Sequence, residues 1–143
     1  MYLVSACLAG IECRYDGKGK AEDAIVKLVQ QGKAIPVCPE QLGGLTTPRI
    51  SCEIVDRLGE RKVINKEGDD RTEEFVLGAE RTLAIAKALG IKKAIMKSKS
   101  PSCGCGMIYD GSFSGRLIPG NGLAVEQLLQ NGIEVISEKD FRL

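Results

Sequence analysis

Residues 21–38, AEDAIVKLVQQGKAIPVC, change hydrophobic period part-way along. Ala21, Ile25, Leu28 and Val29 recur at helical spacing, and Gly32 supplies a stop. Residues 33–38 (KAIPVC) then make a short apolar run ending at Cys38-Pro39. Pro36 inside that run costs a ladder hydrogen bond, which predicts an edge strand or the end of pairing.

The same alternation extends in both directions. Upstream, residues 2–6 (YLVSA) read as a first strand ending at Cys7. Downstream, residues 52–57 and 61–65 around Leu58-Gly59-Glu60 predict a β-hairpin with polar faces. Asp70 is expected to cap a long helix, with Glu73 completing a capping box. Its buried stripe reads Phe75, Ala79, Leu83, Ala86 and Leu89, and Gly90 ends it. Residues 92–97 form a third strand, and the glycine-punctuated stretch 107–118 a small hairpin. Residues 122–130 make a last helix, and 133–137 (IEVIS) a fourth strand. Repeated strand–helix–strand units predict a single-domain, Rossmann-like α/β fold over residues 1–143. It would hold a parallel sheet of about four strands flanked by helices, with small hairpin insertions.

Composition narrows the chemistry. The 143 residues include six cysteines and no histidine. A histidine-activated nucleophile, a facial histidine–carboxylate iron site and the common catalytic zinc sets are therefore excluded. The segment Met1–Cys7 lacks the basic region and apolar length of a signal peptide, and no stretch approaches the ~18–20 apolar residues of a membrane span. The expectation is a cytoplasmic protein in a reducing compartment, where cysteines bind metal or do chemistry. Twenty basic against 19 acidic residues give a net charge of +1, so stable nucleic-acid binding is not expected. A single base or nucleotide remains a fitting partner. The oligomeric state is left open.

In open α/β sheets, ligands bind beyond the carboxyl ends of the strands, at a topological switch point. Cys7 ends the first strand, Cys38 ends the second, and Cys103 lies in the loop leaving the third. The topology therefore projects these three onto one sheet edge. Cys13, Cys52 and Cys105 fall in a loop, at a hairpin start and beside a turn, and ordinary packing weighs most at Cys13 and Cys52. Glu40 lies two residues past Cys38, where a carboxylate beside thiolates suits general acid or base work. Ser100 and Ser102 bring two hydroxyls just before Cys103. For Arg14 and Asp16 a structural pairing weighs as much as a site role. Lys97 and Lys99 would meet a phosphate or face solvent. Structural zinc prefers close C-x(2–4)-C pairs, which are absent. Three distant thiolates suit a [4Fe–4S] cluster better, with one iron left open.

At these same residues the chain resembles the thiouracil desulfidase family. The likeness is carried by Val4–Leu8, Arg14–Gly17, Pro36–Leu45, Ser100–Gly104 and Ile108–Gly115, in order, over nearly the whole chain. The resemblance implies an oxygen-sensitive [4Fe–4S] cluster held by Cys7, Cys38 and Cys103. Its open iron would take the sulfur of a thiolated pyrimidine, a 4-thiouracil-like base or nucleoside. Glu40 would be the acid/base, and Ser100 or Ser102 would orient substrate or water. Many relatives carry another residue at Cys13, which implies a non-ligand role there. Thr46 stands where proline is usual, and Cys105 competes with Cys103 as ligand. The implied reaction is a hydrolytic desulfuration that releases hydrosulfide. Two other classes stay open: a non-catalytic iron–sulfur carrier module and a metal-free persulfide sulfurtransferase.

Overall fold

A computed structural model describes residues 1–142 of the chain; residue 143 lies outside them. The strands are β1 (Tyr2–Ser5), β2 (Ala34–Val37), β3 (Cys52–Arg57), β4 (Glu60–Asn65), β5 (Lys93–Met96), β6 (Met107–Tyr109), β7 (Leu117–Pro119) and β8 (Glu134–Ser137). The helices are α1 (Asp23–Gln30), α2 (Pro39–Leu42), α3 (Thr72–Leu89) and α4 (Leu123–Gln130), with a 3-10 turn at Ala6–Ala9.

Four strands form a parallel sheet in the order β2-β1-β5-β8. The chain runs outward from β1 to β2, then crosses back to β5 on the other side of β1. That reversal puts the switch point at the carboxyl end of β1. Pro36 occupies the edge strand β2, where its missing N–H costs nothing.

Side-chain alternation along the strands builds a core on each face. Leu3, Ala94 and Met96 pack with Ala86 of α3 and Val125 and Leu128 of α4. Val4 and Ile95 pack on the opposite face with Ile25 and Leu28 of α1. Ala21 lies outside α1 and is exposed.

The β3–β4 and β6–β7 hairpins form as expected, but the first is not polar on both faces. Ile54 and Val63 join Phe75 and Ile108 in a third apolar cluster. A hairpin laid over α3 must bury one side, and these are the residues on that side.

Two expectations for α3 are corrected. Helical geometry starts at Thr72, and no capping box forms: Arg71 flanks the helix without a side-chain bond. Asp70 Oδ1 accepts from Thr72 N at 2.8 Å, while Thr72 Oγ1 accepts from Val63 N at 2.9 Å and ties the helix start to β4. The buried stripe is Phe75, Gly78, Ala79, Thr82 and Ala86, whereas Leu89 is 50% exposed. Gly78 faces inward because the backbone of α2 crosses α3 there in direct contact. A Cβ at Gly43 would meet Glu74 O at 1.9 Å, and one at Gly78 would meet Pro39 O at 2.0 Å. The helix therefore turns its smallest residues inward, and Thr82 satisfies its hydroxyl on Gly78 O at 2.7 Å.

Candidate active site

A cleft of about 430 Å³ opens at the carboxyl end of the sheet. Cys7 enters it from the 3-10 turn after β1, Cys38 from the residue between β2 and α2, and Cys103 from the loop after β5. The topology thus brings together the three thiols expected there. Cys13 and Cys52 also line the cleft while packing against apolar clusters, Cys13 among Val4, Leu8 and Ile25 and Cys52 against Ile54, Val63 and Phe75. Cys105 does not line it; its thiol faces Val135 O at 3.7 Å and packs against the core. All six cysteines are free.

Four thiols in this cleft, Cys13, Cys38, Cys52 and Cys103, are pushed toward the neutral form. Burial pushes Cys103 up to about 12, against the opposing pull of the Ser5 and Ser102 hydroxyls. Contact with the Cys13 thiol, then burial, drives Cys38 far above the usual thiol range. Contact with Cys38 lowers Cys13, but contact with Cys7 and burial outweigh it and set Cys13 at about 11. Burial raises Cys52 to about 12, with the Glu40 charge adding to it.

Glu40 lies in the first turn of α2, and both its oxygens are engaged. Arg49 Nε donates to Oε1 at 3.2 Å, and Ser102 Oγ donates to Oε2 at 2.8 Å. Arg49 spends its other nitrogens on main chain and hydroxyl, with Nη1 on Thr46 O and Thr47 Oγ1 and Nη2 on Cys13 O, each at 3.0 Å. Thr46, the departure from the resemblance, bonds Pro48 O at 3.1 Å and keeps this loop closed.

The two serines divide their work. Ser100 lines the cleft, while Ser102 is 1% exposed and stands behind it against Glu40. Ser100 Oγ accepts from Cys103 N at 2.7 Å and lies 3.3 Å from Ser102 Oγ. The N-terminus of α4 completes the anchorage, since Ala124 N donates to Ser102 O at 3.0 Å.

Tyr15, Tyr109 and Phe113 supply aromatic wall. Phe113 (φ 58°) and Lys99 (φ 75°) are non-glycine residues in left-handed backbone, and both border the cleft. Strain of that kind persists where surrounding structure enforces it. At Phe113 the enforcing group is Glu53, 8% exposed, which accepts from Gly111 N at 3.0 Å and Phe113 N at 3.2 Å. Arg14 pairs with Asp16 at 4.0 Å and Lys97 with Glu138 at 3.6 Å, so both make the structural pairing. Lys66 and Lys99 border the cleft with no ion pair among the described residues.

Sequence reasoning missed Arg49, Glu53 and Phe113. Arg49 carried one usable signal: it follows Pro48 in the loop that leaves α2, the helix carrying Glu40. Among the described residues no helix is long and apolar enough to cross a membrane.

Comparison with known proteins meets this geometry. The family model for 2-thiouracil desulfurase matches residues 2–140. YbbK of Bacillus subtilis (strain 168), an uncharacterized protein, is 47% identical over 147 residues, covering 99% of this chain and 97% of that one. The solved structure of the [4Fe-4S]-dependent thiouracil desulfidase TudS is similar at a TM-score of 0.90 and 43% identity, covering 98% of this chain and 91% of that one. With a matched family model, a 47% identical relative and the shared fold, the chain belongs to the 2-thiouracil desulfurase family.

Proposed function

We propose that this protein is a [4Fe–4S]-dependent desulfidase that hydrolyses the C–S bond of a thiolated pyrimidine and releases hydrosulfide. The observation that carries the reading is the cleft itself. Three free thiols from adjacent strand ends share it with a carboxylate fixed on both oxygens.

The donor set fits such a cluster. The ligands are all sulfur, and among the described residues no three Cys, Asp or Glu groups are spaced to hold a single metal ion. A cluster accepts thiolates from separate loops at wider spacing. Cys7, Cys38 and Cys103 would hold it. When bound, it would supply a Lewis-acidic iron able to polarise the thiocarbonyl of the substrate.

The chain's own residues do the rest. Glu40 takes the proton from a water attacking the sulfur-bearing ring carbon and returns it as the tetrahedral adduct collapses to a carbonyl. Arg49 and Ser102 keep its carboxylate in one orientation, leaving a second lone pair on each oxygen for the water. Ser100, on the cleft wall, orients substrate or water. Tyr15, Tyr109 and Phe113 offer faces and edges for a flat ring. Lys66 and Lys99 would meet the ribose hydroxyls of a nucleoside form of the substrate.

Anaerobic purification with iron and sulfide analysis, followed by hydrosulfide assay on 4-thiouracil and 4-thiouridine, tests the reading. Cluster-dependent hydrosulfide release, with oxygen from labelled water entering the product, is the expected result. Cluster transfer to an apo-acceptor with no sulfide release would favour a carrier instead. Metal-free turnover through a cysteine persulfide would equally overturn it.

A further inference from the structure

The donor set proposed above leaves a fourth thiol unexplained. Cys13 lies in the loop between the 3-10 turn and α1, is 1% exposed, and lines the same cleft. It is buried in one cluster with Cys7, against which Cys38 packs, and Cys38 Sγ donates to Cys13 O at 3.7 Å, so it adjoins two of the three proposed ligands. Its main chain is pinned: Cys13 O accepts from Arg49 Nη2 at 3.0 Å, and Cys13 N donates to Ile11 O at 2.8 Å. The side chain is thus held beside the other sulfurs.

We propose that Cys13 is a displaceable fourth thiolate ligand, occupying the coordination position left by Cys7, Cys38 and Cys103 until a substrate sulfur replaces it. The inference rests on the cluster reading of the preceding subsection. It departs from the non-ligand role that the resemblance implied, because that role belongs to relatives with another residue at this position.

Two other cysteines lie elsewhere in this fold. Cys105 does not reach the cleft and packs with the core on the other face of the sheet. Cys52 borders the cleft from the hairpin, in the third apolar cluster. Cys13 shares its cluster with Cys7 and Cys38. Soft thiolates are preferred ligands of iron–sulfur clusters, so a thiol beside the vacant position competes for it. On binding, the S–H bond breaks, the proton passes to solvent and an S–Fe bond forms. When the thiocarbonyl sulfur arrives, that bond breaks and Cys13 regains a proton. No electron is transferred in either direction. In the resting protein Cys13 would shield the one iron most open to oxidative loss.

The test compares wild type, Cys13→Ser and, as control, Cys105→Ser, all reconstituted anaerobically with ⁵⁷Fe and free of substrate. Mössbauer spectra report whether one iron differs from the other three. Electron paramagnetic resonance after ferricyanide reports conversion to a three-iron cluster. Wild type and Cys105→Ser should show four alike sulfur-ligated irons and slow conversion. Cys13→Ser should show one distinct iron and convert at least several-fold faster. A distinct iron in wild type, with conversion as fast as in Cys13→Ser, overturns the proposal and leaves the desulfidase reading standing. Failure of Cys13→Ser alone to assemble a cluster also overturns it, since Cys13 would then be an obligatory ligand. Absence of any cluster in wild type removes both readings.

Discussion

Arg49 donates from Nε to Glu40 Oε1 at 3.2 Å, and the two side chains are only 7% and 15% exposed. A guanidinium buried with all its nitrogens engaged acts as a fixed strut rather than a mobile counter-charge. Its removal leaves a carboxylate without its ionic partner and two loops unlinked.

Arg49→Met is therefore expected to lower kcat by one to two orders of magnitude and destabilise the fold by about 3 kcal/mol. KM should change far less. Arg49→Lys keeps the charge but not the fork, so it should recover stability only in part. Steady-state kinetics with thermal unfolding of each variant checks both. An unchanged kcat in Arg49→Met would remove Arg49 from the positioning of Glu40.

Glu40 and the serines should separate kinetically. Glu40→Gln is expected to lose ~10²–10⁴ in kcat with its iron content intact. Ser102→Ala, which deprives Glu40 Oε2 of its 2.8 Å donor, should lower kcat at nearly constant KM. Ser100→Ala, on the cleft wall, should raise KM as well. Equal profiles for the two serine variants would contradict this division.

Much of this arrangement was legible in the sequence, for a physical reason. Strand ends at Cys7 and Cys38 were visible because apolar runs stop where Gly and Pro begin, and parallel topology then dictates which loops meet. Pro36 announced the edge strand by its missing N–H. Arg49 was not legible, because nothing local distinguishes a buried strut from a solvated arginine. Nor was the burial of Thr82 in place of Leu89. Thr82 stands one turn from Gly78, where α2 touches α3 backbone to backbone, a contact with no periodic signature. The packing of Cys13 and Cys52 was legible, but their place on the cleft wall was not, because a loop cysteine carries no directional information until the loop is folded.

The buried thiols give the metal-free protein an alkaline weakness. Cys52 and Cys103 are each raised from 9.0 to about 12, so the folded chain retains protons that the unfolded chain gives up. Their contribution is complete below pH 9.0 and is lost as pH climbs toward about 12. Each group steepens the fall by up to about 1.4 kcal/mol per pH unit within that window. Denaturant unfolding of metal-free protein at about pH 8 and pH 10 should show the drop, and Cys52→Ala should lessen it. Stability that rises between those points would contradict the burial of these thiols.

Gly43→Ala and Gly78→Ala should each destabilise by about 1–3 kcal/mol or more, since each new methyl meets main-chain oxygen that cannot swing aside. Both should also lower the iron retained after reconstitution, because α2 carries the Cys38–Glu40 segment. Chemical denaturation and iron analysis measure the two effects. Gly44→Ala tests a different cost: its φ of 94° demands left-handed backbone, but nothing stands within 4 Å of the new methyl. It should weaken the fold through strain while sparing the α2–α3 contact.

The loops bearing Cys7, Cys38 and Cys103 follow three side-by-side strands, β2, β1 and β5, while β8 stands outside that group. Anything gripped by all three works as a rivet across one rim of the sheet. On the proposed ligand set, loss of the cluster would be mechanical as well as chemical: with the rivet gone, the rim would loosen while the opposite end and β8 stay seated. A protein emptied of iron should fray there first, and refilling it requires that the rim be gathered again.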